Sequence, residues 1–102
     1  MSVKSQLHSS RDFLMAGMRK AARGPTPNAQ TEKLLRACLD LVEQLARQPD
    51  LITVPDLEKT LGVLHQAAAE LDDGTAATSA VVGSIHQAMG RLQALRAEIA
   101  VT

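Results

Sequence analysis

Apolar residues return every three or four positions through the second half of the chain, and this spacing constrains the fold more than any other feature. Over residues 54–72 the recurring positions are Leu57, Leu61, Leu64, Ala68 and Leu71. Over residues 76–100 they are Val81, Ile85, Ala88, Leu92, Leu95 and Ile99. Such steps place side chains on one stripe of an α-helix. The pattern predicts two long helices, each with an apolar face that another helix must cover.

The first half of the chain predicts two more helices. The first spans residues 3–23 and is interrupted by the proline-containing stretch 24–28. The second begins after an N-cap at Thr26, with Pro27 in its first turn, or else near Thr31. Its apolar positions cover an arc of about 160°, so we expect this helix to touch two neighbours and to form the centre of the core. These positions are Leu34, Leu35, Cys38, Leu39, Leu41, Val42 and Leu45.

The segments between the predicted helices contain residues typical of connectors, helix caps and turns. Residues 51–54 form a short β-branched run that we interpret as a buried connector, because a lone four-residue strand has no partner. Thr53, followed by Pro55 and Asp56, predicts the start of the third helix. Asp73-Gly74 predicts a turn, with Thr75 as a cap for the fourth helix.

These elements predict an all-α fold in which residues 1–102 form a single helical domain. The short connections favour an up-down order of antiparallel neighbours, as in a small four-helix bundle. An alternative is an antiparallel hairpin of the last two helices, with residues 1–24 as a basic amphipathic helix that is only loosely docked.

Charge is distributed unevenly, although eleven cations balance eleven anions overall. Residues 1–24 hold five cations against Asp12 alone, and four of the five form a possible basic contact patch: Arg11, Arg19, Lys20 and Arg23. Such a helix can contact nucleic-acid phosphates or an anionic membrane surface, or serve as an organelle presequence. The alternative is that it docks on the acidic remainder of its own domain.

The residues that catalysis or cofactor binding requires are sparse, and we expect no enzyme activity, cofactor or metal. The chain has no phosphate-binding glycine loop, one cysteine and three histidines. Cys38 falls inside an apolar face, which favours a structural role, and His8 with Asp12 is typical of a surface contact. A single cysteine suits a reducing compartment, so we expect a cytoplasmic protein, and no apolar run is long enough for a transmembrane segment.

One short motif points to group transfer. His86-Gln87-Ala88-Met89-Gly90 resembles the H-x-x-K-G pattern of histidine phosphotransfer domains over five residues. Met89 stands at the lysine position, which removes the cation that would stabilise a phosphoryl group. The resemblance implies a phosphorylated His86 as one alternative function.

A second face of the fourth helix is lined by small residues. Ala76, Gly83, Gly90 and Ala97 recur every seven positions, with Ala80, Gln87 and Ala94 beside them. Each glycine inside a helix costs about 1 kcal/mol relative to alanine, whereas a smooth face lets another helix approach closely. We expect this face to form a homodimer or partner interface. The alternatives are that the glycines face solvent, or that they receive the first helix of the same chain.

The sequence therefore favours a non-catalytic helical module for protein–protein interaction: an adaptor, a secretion-chaperone-like protein or a regulator that sequesters a protein partner. We expect it to pair with itself and with a protein partner that the sequence does not identify. Three methionines, Met15, Met18 and Met89, would supply pliable apolar surface. The alternative from another class is a nucleic-acid-binding regulator that uses the basic first helix.

Overall fold

Four α-helices account for nearly all of the chain in the computed structural model, which describes residues 3–23, 29–72, 74 and 76–101. They are α1 (Val3–Ala22), α2 (Ala29–Arg47), α3 (Val54–Leu71) and α4 (Ala76–Val101), with a 3₁₀ turn at Pro49–Leu51 between α2 and α3. The predicted all-α class is confirmed, and the helix bounds agree to within a few residues. The predicted caps Thr26 and Thr75 and the residues Pro27 and Asp73 lie outside the described residues.

The helices form a ring in up-down order. α1 packs against α2 and α4, and α3 completes the ring by packing against the same two helices. The arrangement is a small four-helix bundle of 45 × 21 × 19 Å. The most extensive interface joins the first and last helices, and the smallest joins α2 and α3.

The predicted heptad stripes of α3 and α4 form much of the core. Every apolar position predicted for these two stripes is buried, except that Ile99 is half-buried. From α1, Leu7 and Leu14 reach the same cluster. Burying one leucine side chain stabilises a fold by roughly 1.5–3 kcal/mol, so these stripes supply the main driving force for closing the ring.

The prediction that α2 forms the centre of the core is wrong. α2 does touch two neighbours, as predicted, but it fully buries only Leu35, Cys38 and Val42. Its remaining apolar residues are half-buried: Leu34, Leu39, Leu41 and Leu45. In a ring of four helices each member contributes one side to the interior, so the outer parts of a wide apolar arc lie at the edges of its two interfaces.

The start of α3 matches its prediction. The Thr53 hydroxyl accepts a hydrogen bond from the Asp56 backbone N–H at 3.4 Å, and the Asp56 carboxylate accepts one from the Thr53 N–H at 3.1 Å. This reciprocal pair is a capping box. The predicted buried connector before it is wrong, because Leu51 is 68% exposed at the end of the 3₁₀ turn.

α1 and α4 approach each other closely at a glycine of α1. A Cβ placed on Gly17 would lie 3.2 Å from the Cβ of Ser84. One turn after Gly17, Lys20 Nζ donates to Ser84 Oγ at 3.1 Å, and two turns before it, Ser10 Oγ donates to the carbonyl of Ala88 at 3.1 Å. A glycine contact and two hydrogen bonds from α1 side chains therefore join the first and last helices.

Candidate functional site

The small-residue face of α4 lies on the outside of the bundle. We use the term α4 ridge for the residues Ala80, Gly83, Gln87, Gly90, Ala94 and Ala97, all of which are exposed. Ala76 begins the same helix, but its side chain is outside the described part of the chain. The structure thus brings the predicted interface residues onto one open surface.

Neither ridge glycine is required by packing within the chain. A Cβ added to Gly83 or to Gly90 would meet no atom of the described residues within 4 Å. The possibility that these glycines receive α1 is therefore wrong, since the close approach of α1 uses Gly17 instead. Each of the two costs about 1 kcal/mol of helix stability relative to alanine, and the described contacts do not offset that cost.

The ridge also lacks charge, which is unusual for an exposed helix face. No charged residue occurs between Ala76 and Gly90. Two of the three charged residues of α4 extend toward neighbouring helices. The Arg91 guanidinium carbon lies 6.0 Å from the centre of the Phe13 ring on α1, and Arg96 lies 3.9 Å from the Glu58 carboxylate on α3. The third, Glu98, is exposed near the end of α4. From Ser79 to Gly90 the exposed positions hold only glycine, alanine, serine, histidine and glutamine.

A ten-residue pattern on α4 occurs a second time on α3, and sequence analysis missed it. Residues 62–71 and 83–92 both read Gly-x-(Leu/Ile)-His-Gln-Ala, followed after three residues by Leu. Burial repeats as well, because the glycine, histidine and glutamine are exposed in both helices and the alanine is buried. The two copies are 21 positions apart, which is three heptads, so a search for identical residues at heptad multiples would have found them.

The four residues of the predicted basic patch do not lie on one surface. Nine positions separate Arg11 from Lys20, which puts them on opposite sides of α1 at 100° per residue. Arg11 lies 3.5 Å from the Glu43 carboxylate of α2, and Lys20 donates to Ser84 of α4. Arg19 and Arg23 are one turn apart and both are exposed.

The residues considered for catalysis occupy structural positions. Cys38 is fully buried, and burial raises the pKa of its thiol to about 11, so a reactive thiolate is disfavoured. His8 Nε2 lies 3.6 Å from the Asp12 carboxylate on the exposed side of α1. Among the described residues, no three side chains of histidine, cysteine, aspartate or glutamate come together as a metal site would require.

His86 is exposed beside the α4 ridge. His65 occupies the corresponding place on α3, also exposed and also followed by glutamine. The five-residue resemblance to phosphotransfer domains therefore falls within the pattern that α3 repeats. Of the methionines, Met18 and Met89 are half-buried against the core, and Met15 is half-buried on α1.

Comparison with known proteins gives no family for this chain. It matches no family model, no curated protein and no solved structure. Within the described residues, none of the helices is both long enough and apolar enough to cross a membrane.

Proposed function

We propose that this protein is a non-catalytic helical interaction module that forms a homodimer through the α4 ridge and engages a protein partner as an adaptor or regulator. The observation that supports the proposal is the pair of exposed glycines, Gly83 and Gly90, with open space above both. An exposed helix face gains nothing from glycine unless something approaches the backbone closely.

A second copy of the chain suits this face for electrostatic reasons. Across a two-fold axis residue i of one copy faces residue j of the other, and only a residue close to the axis faces its own copy. None of the six ridge residues is charged, and the charged residues of α4 all follow Gly90. Two ridges can therefore meet without like-charge repulsion, and their small side chains allow the antiparallel, close helix packing that the proposal requires.

Self-association is tested by the mass of the protein in solution. One chain has a mass of 10.9 kDa, so the apparent mass of a dimer in sedimentation equilibrium would be twice that value. The decisive variant is the double change Gly83→Leu with Gly90→Leu. The added Cβ atoms meet no atom of the described residues within 4 Å, and the larger side chains would obstruct a second molecule. We expect a folded monomer from this variant.

Gly62→Leu is the matched control. Gly62 is also an exposed helical glycine with nothing within 4 Å, but it lies on α3, outside the ridge. The control should keep the mass of the unmodified protein. An unmodified protein that sediments at 10.9 kDa at high concentration, or a double variant that remains a dimer, would contradict the proposal.

A further inference from the structure

A small cavity opens between α1 and α2 near the beginning of α1. It has a volume of about 180 Å³ and is lined by Lys4, Leu7, His8, Arg11 and Ala46. A single water needs about 10–15 Å³ of such space, so the cavity has room for several waters. A small polyatomic ion therefore fits in it.

The polar lining consists of nitrogen-bearing side chains. Lys4, His8 and Arg11 are spaced by four and three residues, so they fall on one flank of α1. The other two lining residues, Leu7 and Ala46, are apolar. An ammonium and a guanidinium only donate hydrogen bonds, so the ligand that complements this lining is an acceptor with negative charge.

Arg11 also has unused donor capacity. Its Nε is shielded from solvent and, among the described residues, has no hydrogen-bond partner. The nearest carboxylate oxygen, Glu43 Oε1, is 3.5 Å away, which is long for a charge-assisted hydrogen bond. A shielded Nε is not open to an anion from solvent, so an incoming oxyanion would interact with the part of the Arg11 side chain that lines the cavity; that side chain is 42% exposed as a whole.

Helix dipoles do not decide the affinity of this cavity. α1 begins at this end of the bundle and α2 ends there, so their opposite partial charges oppose each other. Glu43 near Arg11 and Asp12 near His8 lower the local positive charge. Binding must therefore come from the side chains that line the cavity.

We infer that this cavity is a binding site for a phosphate-type oxyanion, either free phosphate or the phosphoryl group of a small phosphomonoester. The geometry assigns Lys4 and Arg11 as the charged donors, with His8 as an additional donor on the same flank. The inference does not depend on self-association through the α4 ridge, which lies on another helix.

The test is titration of the full chain with inorganic phosphate, and in a second arm with phosphoserine, followed by backbone amide chemical shifts. We expect saturable shifts confined to the surroundings of residues 4–11 and 46. Tighter binding of phosphoserine would assign the site to a phosphomonoester, and equal or weaker binding would assign it to free phosphate. Shifts spread over the whole surface, or none in both arms, would overturn the inference.

Three variants distinguish specific anion binding in the cavity from nonspecific electrostatic attraction. Lys4→Gln and Arg11→Gln should each weaken binding about tenfold, because each removes one charge-assisted donor. Arg19→Gln is the matched control, since it removes the same charge from the exposed side of the same helix. Equal weakening by the control would overturn the inference. If Arg11→Gln fails to fold, Lys4→Gln still decides the outcome, because Lys4 is exposed.

A fourth variant tests the role of Glu43 directly. Glu43→Gln removes the carboxylate that competes for Arg11. We expect phosphate to bind more tightly to this variant, by about threefold or more. Unchanged or weaker binding would show that Arg11 does not contact the anion.

Discussion

Gly17 of α1 packs tightly against Ser84 of α4, and a Cβ on the glycine would lie 3.2 Å from the Cβ of the serine. The same virtual atom would lie 3.8 Å from Leu35 Cδ2 on α2. One missing side chain thus allows three helices to meet. In contrast to Gly83 and Gly90, this glycine has a structural cause within the chain.

Replacement of Gly17 tests whether close packing of the helices requires a glycine at this position. Gly17→Leu should lower the free energy of unfolding by about 2 kcal/mol or more, because overpacking outweighs the gain in helix propensity. The measurement is urea-induced unfolding followed by circular dichroism. Gly62→Leu, at an open position, is the control and should not destabilise the fold. Equal effects at both positions would contradict the close-packing argument.

The thiol of Cys38 should make stability fall at alkaline pH. Its pKa is raised from 9.0 to about 11 in the folded state because burial disfavours the thiolate. Below pH 9 the thiol is protonated in both states, and as pH rises toward 11 only the unfolded chain ionises. At pH 10 the loss should be about 1 kcal/mol.

The measurement for Cys38 compares unfolding free energies near neutral pH and at alkaline pH. Cys38→Ala should be less stable at neutral pH, because it leaves space in the core. That variant should also lose less stability than the unmodified protein between the two conditions. An identical pH dependence in both proteins would show that Cys38 does not contribute.

The capping box of α3 should stabilise the fold measurably. Thr53→Ala removes the oxygen that accepts from the Asp56 N–H and should cost about 1 kcal/mol. Thr53→Ser keeps that oxygen and should stay close to the unmodified protein. Because the cap is exposed, both variants should fold, and a difference below the error of the unfolding measurement would argue against the cap.

The nucleic-acid alternative depends on Arg19 and Arg23, the members of the basic patch that share the exposed side of α1. If phosphates bind there, affinity for duplex DNA or RNA should fall steeply with salt. Changing both residues to glutamine should then reduce the slope by about two. We expect no binding at physiological salt, because Arg11 and Lys20 lie on opposite sides of α1 and leave only two cations on this surface. Salt-dependent binding that disappears in the double variant would favour this alternative over the proposed function.

Heptad spacing predicted α3 and α4, and the reason is physical. Leu57, Leu64, Ile85 and Leu92 are each fully buried because a helix with one apolar stripe has only one side to cover. Apolar spacing could not predict which helix is buried most. The width of the α2 arc shows how much of its surface is apolar, but not how much of that surface a neighbouring helix covers.

Close contacts were harder to predict than periodicity. The small residues of α4 stood out in the sequence because two glycines recur at heptad spacing, whereas Gly17 is a single glycine in α1. Its role depends on Ser84, which lies 67 positions further along the chain. The oxyanion cavity also depends on residues that are distant in the sequence. Lys4 and Arg11 lie next to Ala46 only because α2 packs against α1 in the folded chain.

The bond from Ser10 to Ala88 spans 78 positions, and this has a consequence for biosynthesis. During translation α1 emerges long before the helix that makes its largest interface, so the apolar flank around Leu14 stays without its main cover. Early hairpins of neighbouring helices can form, but the ring closes only when α4 has left the ribosome. Nascent chains that stall before that point would expose apolar surface to which chaperones bind.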